Sequence, residues 1–152
     1  DLYKLVAPMP VFGREKNFNP HYMHLQISRE YDFLVLNENL CFVDYQDSGM
    51  SGQIYRQYLN SPRSFAEIRK FKLSIPDTPI LFRLRHYIHY VSSCLLARRR
   101  HGLRNPDWPL LVLAAPFGAA LSLFILFQVW RMDRRDRKTA GKSADPQIQR
   151  AG

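Results

Sequence analysis

The sequence predicts an α/β chain that ends in membrane-associated helices, and three observations lead there. Two apolar runs, 33–36 and 40–43, are separated by Asn37, Glu38 and Asn39, which suit a turn, so they read as a hairpin. Residues 80–96 repeat apolar side chains at helical spacing. Residues 110–129 carry no charge and lie between Trp108 and Trp130.

Upstream of the hairpin, residues 19–31 predict a short helix. Asn19 can cap it, Pro20 suits its first position, and Tyr22, Met23, Ile27 and Tyr31 recur at helical intervals. Downstream, Ile54, Tyr58 and Leu59 precede a break at Ser61 and Pro62, after which Phe65, Ile68 and Phe71 resume an apolar stripe. Two linked helices are expected there. Pro79 can open the next helix, where steps of about 100° gather Ile80, Leu84, Tyr87, Ile88, Val91 and Leu95 on one side. Arg85, His86, His89, Ser92 and Ser93 fall on the other. The apolar side needs a surface, either a protein core or a membrane interface where Arg98, Arg99, Arg100 and Arg104 would meet lipid phosphates.

A helix over 110–129 reaches about 30 Å, the thickness of a bilayer's hydrocarbon core, and tryptophans favour both interfaces. Pro116 and Gly118 are tolerated in membrane helices. Basic residues flank the segment on both sides, so charge gives no orientation. A single span, a re-entrant or interfacial element and a buried helix all remain open. The four expected divisions are 1–75, an amphipathic basic helix over 76–104, a hydrophobic membrane segment over 108–130, and a basic, disordered tail over 131–152.

The formal charge of +9 favours a polyanion or an anionic membrane surface as partner. With a membrane segment adjoining the basic and aromatic residues, nucleic acid is not expected. Cys41 and Cys94 form no CxxC or zinc spacing, and a reducing compartment fits them. His21 with His24, and His86 with His89, share helix faces at i,i+3, but neither pair has the H-E-x-x-H pattern. The glycine-rich stretch 48–52 lacks the ending of a P-loop and reads as a turn. Glu15 precedes a helix start, where an ionised carboxylate could accept a proton from a substrate hydroxyl.

The ordered blocks over residues 9–70, from the PVFGREKNF stretch through LNENLCFVDY to RQYLNSPR, resemble the C-terminal end of the catalytic domain in bacterial family 2 glycosyltransferases of the cell-surface polysaccharide type. The resemblance implies that 1–75 is the last part of a GT-A, Rossmann-like domain and that the sequence is one portion of a longer enzyme. It implies transfer of a sugar from a nucleotide-diphosphate sugar to a glycan or lipid-linked acceptor, with Glu15 as general base and Tyr45, Gln46 and Asp47 on the acceptor side. The divalent metal, Mg or Mn, would bind an Asp-x-Asp element that this sequence lacks. The implied location is the bacterial inner or plasma membrane, with the catalytic portion cytoplasmic. The alternative of a different class is a non-enzymatic membrane anchor or assembly protein.

Overall fold

The computed structural model describes residues 2–6, 8–15, 18–44, 49, 52–98 and 107–143. Among them the chain forms α1 (Leu2–Val6), α2 (His21–Ile27), α3 (Ile54–Asn60), α4 (Pro62–Leu73), α5 (Ile80–Leu96) and α6 (Trp108–Ser143).

The α/β expectation is overturned, because the described residues contain no strand and therefore no Rossmann-like sheet. Residues 31–44 are irregular and exposed throughout, Val35 at 87% and Phe42 at 96%. Their composition suits strands, but an isolated two-stranded hairpin is marginal in water without a third strand or a covering helix. The His24 ring of α2 meets Phe33, but the segment stays exposed and its strand propensity goes unused.

The helical expectations fare better. α2 begins after Asn19 and Pro20, with Asn19 Oδ1 accepting from the His21 amide at 2.9 Å. The Ser61-Pro62 break separates α3 from α4 and puts Pro62 at the first helical position, where its missing N–H costs nothing. The short connection 74–79, with Asp77 left-handed at φ 54°, folds α5 back beside α4. Arg69 of α4 therefore meets His86 of α5, while Pro62 and Arg63 lie by Leu96, Ala97 and Arg98.

α6 lies along α5 in the same chain direction. Asp107, just before α6, accepts from Tyr87 Oη at 2.9 Å and pairs with Arg83; further on, Gly118 lies against Ile88 and Val91, and Ser122 meets Ser92. Tyr87, Tyr90, Cys94 and Ala114 form the buried centre, flanked by Ala66, Leu73, Leu84, Ile88, Leu110 and Leu111. Full burial of such side chains contributes about 1.5–3 kcal/mol each for the larger ones. α5 is thus covered on two sides. Its expected polar side is not solvated as a whole, since His86, Ser92 and Ser93 are all buried.

Candidate membrane-binding site

The inner stripe of α6 explains how closely it approaches α5. Ala114, Gly118 and Ser122, spaced four apart, fall on one face and are buried. A Cβ added at Gly118 would sit 2.6 Å from Val91 Cγ1 and 2.9 Å from the Ile88 carbonyl oxygen, so only glycine permits this separation. Ser122 Oγ lies 3.1 Å from Ser92 Oγ and 3.0 Å from the Gly118 carbonyl oxygen, satisfying a hydroxyl inside the contact. Small residues with a bonded hydroxyl are the usual means of joining helices in lipid.

Ile125 continues this buried stripe, and most of the other side chains between Trp108 and Trp130 face outward and are apolar. Val112, Leu113, Phe117, Leu123, Phe124, Leu126 and Phe127 are all exposed, and Trp108 and Trp130 bracket them. The apolar length over 108–139 has a mean hydropathy of 2.5 in its best window, of which only 22% is buried. The helix is therefore a single membrane-spanning or membrane-associated segment by length and composition. Beyond Trp130 the surface changes to charge. The Arg134 guanidinium lies over the Trp130 ring at 4.4 Å, and Arg56 of α3 is held between Asp133 at 2.7 Å and Asp136 at 2.5 Å. The two carboxylates raise the Arg56 pKa, and the pair ties the polar end of α6 to α3.

A polar layer lies between α4 and α5. Arg69 approaches His86 Nδ1 at 3.1 Å; guanidinium only donates, so Nδ1 accepts and the His86 proton sits on Nε2. Arg69 also donates to Tyr58 Oη at 3.3 Å, and the His89 ring lies nearly parallel to that of Tyr58. Burial, then the charge of Arg69, lowers the pKa of both His86 and His89 to about 4. Both are neutral near pH 7. Among the described residues no group of three or more His, Cys, Asp and Glu could hold a metal ion.

Glu15 occupies a definite position. Its Oε1 accepts from the Arg63 amide at 3.0 Å, and its Oε2 accepts from both the amide and the hydroxyl of Ser64 at 2.7 Å. These are second and third positions of α4, whose preceding Ser61 makes no side-chain cap bond. A carboxylate at a helix start is favoured by the unpaired amides and by the helix dipole. Glu15 therefore caps α4 from a distant loop. Tyr45, Gln46 and Asp47 lie outside the described residues, as do Arg99, Arg100 and Arg104; Arg98 is exposed at the end of α5.

No protein-family model matches this chain, and no curated protein or solved structure is significantly similar to it. The resemblance to family 2 glycosyltransferases is corrected accordingly. Such a domain needs a parallel sheet to carry the nucleotide sugar, and the described residues supply none. Sugar transfer, and with it Glu15 as the base of that reaction, loses its structural support.

Three features escaped the sequence reading. The four-residue spacing of Ala114, Gly118 and Ser122 was a readable signal. The pairing of Asp107 with Arg83, and that of Arg69 with His86, joins different elements and left no local pattern.

Proposed function

We propose that this protein is a non-enzymatic membrane anchor or assembly protein in which α6 beds its outer apolar arc in lipid while α3, α4 and α5 remain on the aqueous side. The carrying observation is the run of exposed apolar side chains from Trp108 to Trp130, covered on one stripe only. At roughly 25 cal/mol per Å², moving such a surface from water into lipid is strongly favourable. Exposed basic residues at Arg98, Arg131, Arg134, Arg135, Arg137 and Lys138 would add attraction to anionic headgroups.

The disposition of α5 favours an interfacial placement over a full crossing. It lies beside the apolar part of α6, carries exposed Arg85 and bears α4, whose Lys70 is exposed. Drawing these charges to bilayer depth costs about 2.5–3.5 kcal/mol each or more. The free thiols Cys41, exposed, and Cys94, buried, suit the reducing side of the membrane.

Flotation with phosphatidylcholine vesicles, with and without phosphatidylglycerol, tests the reading. The wild-type chain should float, more completely with the anionic lipid, and Phe117→Glu with Phe124→Glu should leave it in the aqueous fraction. Wild-type protein that fails to float removes the proposal. Cysteines placed by Asn105→Cys and Arg137→Cys in a cysteine-free background should both react with an impermeant maleimide added outside. Reaction at one end only would replace the interfacial placement with a span.

A further inference from the structure

Where α4 begins and α5 ends, the two helices and the loop bearing Glu15 enclose an open cavity of about 340 Å³. Arg14, Arg63 and Arg98 line it, and among the described residues none of their guanidinium groups is engaged in an ion pair or side-chain hydrogen bond. The carboxylate in the wall does not neutralise them through contact, because both Glu15 oxygens are taken by Arg63 and Ser64 of the α4 start. Two left-handed residues shape the rim: Gly13 at φ 60° turns the chain into Arg14, and Arg98 itself sits at φ 54°. An arginine in that conformation costs about 1–2 kcal/mol relative to a right-handed one. Asn60, Pro62, Leu96 and Ala97 complete the wall and bring no acid.

We infer that this cavity binds a phosphate monoester, whether free or as a lipid headgroup, through Arg14, Arg63 and Arg98. The lining sets three arginines against the single Glu15 carboxylate, and this excess of positive charge lowers the cost of admitting a dianion. The planar guanidinium donates in a fork that matches phosphate oxygens, and charge-assisted bonds of this kind are about twice as strong as neutral ones. The cavity admits a phosphate and is open enough for its ester group to extend outward. The site lies one turn beyond Ser92, which meets Ser122, and so toward the end where α6 reaches Trp130 and its basic flank. A headgroup and a soluble phosphate both have access to it.

The inference does not depend on membrane attachment, so its test is made first without lipid. The purified full chain in neutral maltoside micelles is titrated with inorganic phosphate by calorimetry, with acetate as a monovalent control. A second arm uses the same micelles carrying short-chain phosphatidic acid or phosphatidylcholine. Saturable binding of one phosphate, or of phosphatidic acid in preference to phosphatidylcholine, is expected; the first outcome identifies a soluble ligand and the second a headgroup. Arg63→Gln and Arg98→Gln should each weaken binding about tenfold or more. Arg14→Gln, on an exposed loop, should weaken binding with the fold intact, and Lys70→Gln, outside the cavity, should stay within about twofold of wild type. No saturable binding in either arm, or arginine variants equal to Lys70→Gln, would show these to be solvated helix-end charges and overturn the inference.

Discussion

Glu15 and Ser64, 49 residues apart, are joined twice: one carboxylate oxygen accepts from the serine amide and from its hydroxyl, each at 2.7 Å. The bond makes the loop around Gly13 part of the α4 cap. Glu15→Ala should therefore lower stability by about 1–2 kcal/mol, the range of a lost cap, with Glu15→Gln intermediate because one of its two terminal atoms can no longer accept. Thermal unfolding followed by circular dichroism measures it. A melting temperature unchanged in Glu15→Ala would dissolve the cap.

Gly118 sets the distance between α5 and α6. Any Cβ there meets both Val91 and the Ile88 carbonyl, and a backbone atom cannot swing aside as a side-chain terminus can. Gly118→Leu should cost at least about 2–3 kcal/mol through overpacking, whereas Ser122→Ala should cost about 1 kcal/mol through its lost hydrogen bonds. Detergent-solubilised variants compared by denaturant midpoint give the order. The opposite ranking would place the close approach elsewhere on the helix.

How much of this was legible in the sequence depends on whether the signal is local. The uncharged stretch before Trp130, the Ser61-Pro62 break and the Pro79 start are written in neighbouring residues, and the corresponding helices formed. The runs 33–36 and 40–43 were equally local, yet a strand needs a partner, and partnership is a property of the whole chain. Glu15 illustrates the same limit from the side of the site. An acid before a helix start looks available for proton transfer until the distant α4 amides that occupy it are seen.

The two thiols should separate chemically. Cys41 is exposed, whereas Cys94 is 4% exposed and burial raises its pKa, which suppresses the reactive thiolate. A disulfide-exchange reagent at pH 8 should modify Cys41 rapidly and Cys94 only as the chain unfolds, so Cys41→Ser leaves a single slow phase. Two fast phases in native protein would mean that the centre around Tyr87 and Tyr90 opens readily.

Stability should depend on pH through His86 and His89. Both have folded pKa values lowered from 6.5 to about 4, by burial first and by Arg69 second, with Lys72 and Arg85 adding to the effect at His86 and Arg85 at His89. Between those values the unfolded chain binds more protons than the folded one, so stability rises with pH. The contribution is complete above about pH 6.5 and is lost as pH falls toward about 4. Across that interval unfolding should take up about two protons from these groups, and the melting temperature should drop steadily from pH 7 to pH 5. His89→Phe, which keeps an aromatic ring beside Tyr58, should remove about half of the dependence that the two histidines supply. The opposite slope, with greater stability at pH 5 than at pH 7 and its loss in the His89 variant, would require the pair to be charged in the folded protein and Arg69 to lie elsewhere.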